Sequence, residues 1–295
     1  MLYCLVPAPA HGNGLYRWQD TEGRWHFSDR APAQQNAEDV AARYQQPDAP
    51  DIRIETRDYV LPTRLQQRLE VTVTRVFSIY RHTLAVNMPT DMPFEILLYG
   101  DANAFRQYQR QVAPRLENPA GFFNGMNGRI TALALDDHDA LLRLITHECS
   151  HAIAARQAGY MPIWLNEGLA EYFSQLQIYG LTAEIPVAAH WLQQLRGAPP
   201  APGALRHNVD ARHEVWQAQA ARGGNYAISW SLVWFLMDTA EGRQLLRYLL
   251  ARVANDPRPL TDSSAFIDDH WPGGFAALEL AWQQWLPRAA GRHRY

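Results

Sequence analysis

The chain has 295 residues, 47% of them hydrophobic, enough to bury one large core or two modest ones. Its 27 basic and 30 acidic side chains leave a net charge of −3 with both signs interspersed, and no basic stripe marks a nucleic-acid partner. No apolar run approaches the roughly 20 residues of a transmembrane span, and two cysteines, Cys4 and Cys149, are too few to fix a redox compartment.

At the start, the apolar Met1 to Val6 is followed by Pro7-Ala8-Pro9-Ala10. Ala-Pro-Ala before His11 has the small-residue pattern of a signal-peptidase site, so residues 1–10 read as the tail of a signal peptide. Residues 11–30 hold two short runs of alternating aromatics, Leu15 to Asp20 and Arg24 to Asp29, around Thr21-Glu22-Gly23. That pattern predicts a β-hairpin with Tyr16 and Trp18 on one face and Trp25 and Phe27 paired across from them. The hairpin resembles a small module at the N-terminus of many exported bacterial proteins, which implies a periplasmic or secreted protein. It is either a structural unit or a surface for a partner in the cell envelope. Residues 31–50, rich in Ala, Pro, Gln and Asp, read as a linker.

Residues 51–290 form the expected second domain. Ile52 to Thr56 alternates as a strand, and Thr63 is placed to cap a helix running to Leu84, with Leu65, Leu69, Val73, Val76 and Tyr80 inward. Pro93 to Tyr99 reads as a buried strand and Asp101 as the opening of a helix to Val112. Two strands flank Asn124 to Gly128, the second containing Arg129-Ile130-Thr131-Ala132-Leu133. Residues 181–224 read as loop-rich. Helices are predicted over 225–238, 242–254 and 275–286, followed by a frayed basic tail.

His147-Glu148-Cys149-Ser150-His151 lies in a helix predicted over 139–158, with Asp136, Asp137 and Asp139 as capping candidates and Gly159 as its stop. Its two histidines stand one turn apart on one face and can converge on one metal ion. Glu148, one position on, is placed to act as a base on water at that ion. A catalytic zinc needs a third protein ligand. A second helix, begun by Pro162 or capped by Asn166, offers Glu167 as that ligand. Glu171, one turn on, would hydrogen-bond the free nitrogen of a ligating histidine. Gly168 and Ala170 are small enough to let the two helices pack closely.

The two segments together resemble the gluzincin zinc peptidases, and most closely a bacterial peptidase-MA-like group whose second helix reads Trp-Leu-x-Glu-Gly-x-Ala-Glu, as Trp164 to Glu171 does here. The resemblance covers residues 52–286, with only the two helices specific. It implies an α+β, zincin-like fold: a small mixed or antiparallel sheet packed on the metal-binding helix, then a mostly helical C-terminal lobe. It implies Zn(2+) held by His147, His151 and Glu167, with Glu148 as catalytic base and a peptide or protein as substrate. It puts residues 129–135 at a sheet edge that pairs with the substrate backbone.

Peptide hydrolysis also needs a donor to the developing oxyanion. Tyr226 resembles the tyrosine opening the later helix of related sequences, with His207 and His213 as runners-up. Gly125-Met126-Asn127 lacks the glutamate by which gluzincin aminopeptidases hold a free amine, which points to an endopeptidase or to an exopeptidase of another logic. The alternative is a catalytically silent or latent zinc-containing binding protein of the envelope. A structural zinc would prefer four protein ligands and has no use for Glu148.

Overall fold

The computed structural model describes residues 16–20, 22–28, 37–39, 49–89, 92–117, 119–157, 160–220 and 224–295. The expected leader at 1–10, most of the linker at 31–50 and the stop at Gly159 lie outside the described residues. Two compact units divide between Ala49 and Pro50.

In the first unit, β1 (Tyr16–Gln19) and β2 (Trp25–Ser28) form the antiparallel hairpin, and β3 (Glu38–Asp39) pairs with the other side of β1. β3 falls within the segment expected to be a linker. An aspartate organises the turn: Asp20 Oδ1 accepts from the backbone N–H of Glu22 and of Arg24, each at 2.9 Å, and Oδ2 lies 2.8 Å from His26 Nε2. The aromatic pairing differs from expectation. Trp18 stands opposite His26, whose ring stacks on it, while Trp25 and Phe27 stand opposite Gln19 and Arg17. By register, then, Trp25 and Phe27 are not the residues that stand across from Tyr16 and Trp18.

The second unit is α+β, a small mixed sheet within mostly helical structure. The strands β4 (Asp51–Arg57), β5 (Pro93–Tyr99) and β7 (Arg129–Leu133) run parallel, and β6 (Gly121–Asn124) is antiparallel at the edge, in the order β4-β5-β7-β6. Ile96 and Leu98 face the main core, while Leu97 and Tyr99 face a smaller cluster with Phe105 and Phe122. Both faces of β5 are therefore apolar, as a central strand requires.

Helix α1 (Thr63–Ser78) buries Leu65, Leu69, Val73 and Val76 and continues as a π-helical turn, Ile79–Thr83, that carries Tyr80 into the core. Its cap position is Pro62 rather than Thr63, with no side-chain cap: the proline ring fixes φ for entry into the helix. Helix α2 (Ala102–Val112) is capped by Asp101, which accepts from the Ala104 N–H at 2.7 Å. Helix α3 (His138–Gln157) starts at Asp137, whose Oδ1 accepts from the N–H groups of Asp139 and Ala140. Helix α4 (Ile163–Ser174) follows Pro162.

The segment 181–224 is largely structured, contrary to expectation. A hairpin, β8 (Gln177–Tyr179) and β9 (Thr182–Pro186), leads to α5 (Ala189–Gly197), α6 (Ala204–Asp210) and α7 (His213–Ala220). Each short helix buries its own anchors, Leu192 and Leu195, Leu205 and Val209, and Trp216, and the Pro- and Gly-rich stretch only joins α5 to α6. Helices α8 (Gly224–Asp238), α9 (Ala240–Asn255), α10 (Ser263–His270) and α11 (Gly274–Trp285) complete the lobe. The basic tail is not frayed. It forms β10 (Arg292–Arg294) on β9, where Glu184 accepts from Arg292 at 2.6 Å and Arg294 at 3.0 Å. Among the described residues no helix is long and apolar enough to cross a membrane.

Candidate metal centre

Helix α3 sets His147 and His151 one turn apart, with their Nε2 atoms 3.0 Å from each other. Helix α4 brings Glu167 Oε2 to 3.7 Å from each of these nitrogens. A point equidistant from the three atoms lies about 2.0 Å from each, the length of a metal–nitrogen or metal–oxygen bond. Two imidazole nitrogens facing each other this closely need a shared proton or a cation between their lone pairs. Burial, then the neighbouring His151 charge, push the His147 pKa well down, which keeps this imidazole neutral, the form that ligates a metal. The three side chains could hold a metal ion.

The far nitrogens of both rings have partners. His147 Nδ1 lies 3.4 Å from Glu171 Oε1, and His151 Nδ1 lies 3.2 Å from Asn166 Oδ1. Asn166 and Glu171 meet the histidines in reverse order, so α4 runs antiparallel to α3. Asn166 does not cap α4; it fixes a histidine. Trp191 on α5 donates its indole N–H to Glu171 Oε2 at 2.9 Å. Burial raises both carboxyls, Glu167 to about 7. The small residue Gly168 serves a different contact from the expected one. A Cβ there would lie 2.7 Å from the Ser229 carbonyl oxygen and 2.8 Å from Val233 Cγ2, so the close approach is between α4 and α8.

Glu148 is buried next to His147, and its Oε2 accepts from the Phe123 N–H at 2.7 Å. Burial raises its pKa, and the His151 charge and this hydrogen bond oppose the shift. Phe123 stands opposite Ile130, a position at which the backbone N–H and C=O point away from the partner strand. The N–H of Phe123 therefore leaves the free edge of the sheet and ends on Glu148.

That edge belongs to β6, which corrects the expectation for Arg129, Ile130, Thr131, Ala132 and Leu133. These residues form β7, hydrogen-bonded to β5 on one side and β6 on the other, so both of its ladder sides are occupied. Ile130, Thr131 and Ala132 are buried, and Arg129 pairs with Glu95 and Glu55. The hairpin turn sends the preceding strand outward, and Gly121 lets it lie against Leu144 of α3.

Tyr226, in the first turn of α8, stacks parallel to Trp191 and meets Trp216 edge-on. Its pKa is raised by burial and by the negative charges of Glu167, Glu171 and Glu148, which sets it within electrostatic reach of the centre. Buried hydrogen bonds fix this corner: Trp216 Nε1 to Asn208, Asn208 to Ser229, and Asn225 to the Trp216 carbonyl. His207 and His213 are exposed on α6 and α7. Sequence reasoning missed Trp191, the Phe123 N–H and the Asn166 contact. Only Asn166 carried a signal, its position one residue before Glu167 on the same helix.

Residues 2–51 match a family described as "Domain of unknown function (DUF4124)". The match spans the hairpin and fits an N-terminal module of exported proteins, compatible with a periplasmic or secreted location. No curated protein matches the chain.

Proposed function

We propose that residues 51–290 form a zincin-like, zinc-dependent metallopeptidase of the gluzincin type, an endopeptidase of the bacterial envelope. The observation that carries this reading is the convergence of His147, His151 and Glu167 beside a further buried carboxylate, Glu148, that points at a free strand edge. Two imidazoles and a carboxylate suit zinc, and among the described residues the cluster has three members, the number a catalytic site uses. Bound there, zinc supplies a Lewis acid that polarises a carbonyl and lowers the pKa of water toward about 7.

The chain's own residues do the rest. Glu171 and Asn166 hold the two imidazoles in orientation. Glu148 takes a proton from the attacking water and passes it to the leaving amine. The free edge of β6 pairs with the main chain of an extended peptide, whose scissile bond then lies beside Glu148. Tyr226, kept protonated by its raised pKa, donates to the developing oxyanion. The competing reading is a latent or silent zinc-binding envelope protein. It is favoured by the Phe123 hydrogen bond, which occupies one oxygen of the base.

A peptide-library digest separates the two. Wild type should cut internal bonds, lose activity to a chelator and regain it with zinc. Glu148→Gln should bind zinc equally and turn over roughly 10²–10⁴-fold more slowly. Full activity of zinc-loaded Glu148→Gln would remove the mechanism. Zinc binding by wild type with no cleavage would favour the silent protein.

A further inference from the structure

A groove of about 640 Å³ opens where α1, the first turns of α3 and the β8 hairpin meet. On α3 the groove residue nearest to a ligand histidine is Arg143, a full turn before His147, and neither histidine nor Glu167 lines it. Arg64 and Arg68 enter the groove from α1 and Arg143 from α3, against one acidic side chain, Asp139. The groove is thus locally basic in a chain whose net charge is −3. Arg68 is paired with Asp139 and Arg143 lies 3.7 Å from Asp137, while Arg64 is exposed and carries no ion pair among the described residues.

Gln177, Ile178 and Tyr179 of β8 also line the groove. In the sheet order β10-β9-β8, β8 is the end strand among the described residues. A two-residue turn, Gly180-Leu181, with Gly180 at φ +60°, joins it to β9 and makes Tyr179 and Thr182 the pair flanking the turn. Such a pair exchanges both hydrogen bonds, so the next residue, Ile178, turns its N–H and C=O away from β9. Proteins commonly guard an edge with charge, proline, a bulge or a very short strand, and β8, at three residues, relies on the last of these alone. Gln177-Ile178-Tyr179 has no charge or proline, and its pairing with β9 runs without interruption. Val71 and Tyr179, both exposed, add apolar surface to the walls.

The geometry points to this groove as a docking site for an extended acidic peptide, which adds as a strand to β8 and sets its carboxylates on Arg64, Arg68 and Arg143. The main-chain bonds supply affinity and the arginines supply selectivity. The site does not depend on the peptidase reading. If that reading holds, the groove selects substrates with an acidic segment outside the cleavage site.

The test uses the full chain with Glu148→Gln, so that no bound peptide is cut, and the fluorescence anisotropy of a labelled Val-Glu-Val-Glu-Val-Glu peptide. Saturable binding is expected, with a Val-Lys counterpart failing to bind. Arg64→Glu with Arg68→Glu, two exposed positions on α1, should weaken it by roughly tenfold or more. Methylating alternate amides of the peptide should abolish binding to the unaltered groove, a readout that does not rely on a protein variant. No binding of the acidic peptide, equal binding of both peptides, or undiminished binding by the double variant or the methylated peptide would overturn the proposal. So would capture of anionic lipid vesicles in place of the peptide.

Discussion

The indole N–H of Trp191 is donated to Oε2 of Glu171 at 2.9 Å, leaving Oε1 of the same carboxylate 3.4 Å from Nδ1 of His147. One tryptophan on α5 thus orients the carboxylate that orients a metal-site histidine. Partners behind a ligating histidine are worth about 10–100-fold in metal affinity or activity. Trp191→Phe keeps an aromatic plane against Tyr226 and removes the donor. It should weaken zinc binding roughly tenfold, near the lower end of that range, as measured by competition with a chromogenic chelator. Unchanged affinity would mean that Glu171 needs no anchor.

Tyr226→Phe removes one hydroxyl while keeping the ring between Trp191 and Trp216. If that hydroxyl meets the oxyanion, kcat should fall by about 10²–10³-fold with KM and zinc affinity nearly unchanged. Steady-state kinetics on a peptide cut by wild type decides it. An unaltered kcat would take Tyr226 out of the mechanism.

What the sequence could disclose follows from the range of its signals. His147, His151, Glu167 and Glu171 lie on two regular helices, so helical periodicity alone sets which of them share a face. The Asp101 cap and the strand Pro93–Tyr99 were legible for the same local reason. Strand order is not local. Residues 129–133 have the composition of a strand, but whether β6 or β7 takes the edge depends on how the hairpin docks on β5, which no spacing encodes. Trp191 escaped notice because Pro- and Gly-rich sequence hid short helices that are each anchored by only one or two buried apolar residues. The tail went unread because the acidic partner of Arg292 and Arg294 is Glu184, over a hundred residues away.

Gly168→Ala tests whether the approach of α4 to α8 matters. The new methyl would sit 2.7 Å from a backbone carbonyl oxygen, which cannot rotate away as a side chain can. The helices must separate, at a cost of about 1–3 kcal/mol for an overpacked core. A melting temperature several degrees lower is expected by calorimetry. Because Glu167 is the preceding residue, zinc affinity should fall with it. A variant as stable as wild type would show that α8 yields easily.

Protons and metal compete at Glu167. Burial raises its carboxyl from the ordinary 4.5 to about 7 in the metal-free protein. A raised acid adds stability that is full below its unfolded value and disappears as pH climbs through the folded one. His147, shifted down by burial, acts in the opposite sense and costs stability as pH falls below its ordinary 6.5. Above that value the carboxyl dominates, so the chelated protein should lose stability between pH 6.5 and somewhat above 7. Zinc takes the place of the proton on Glu167. At about pH 6 its uptake should release close to one proton from this group, and at about pH 8 almost none. Apparent affinity should rise roughly tenfold per unit up to pH 7 and level off above it. Titration calorimetry in buffers of different ionisation enthalpy reads the released protons directly. Glu167→Gln, which has no proton to give up, should bind zinc more weakly and show no such release near pH 7. The same proton count in wild type and Glu167→Gln would assign the titration to another group.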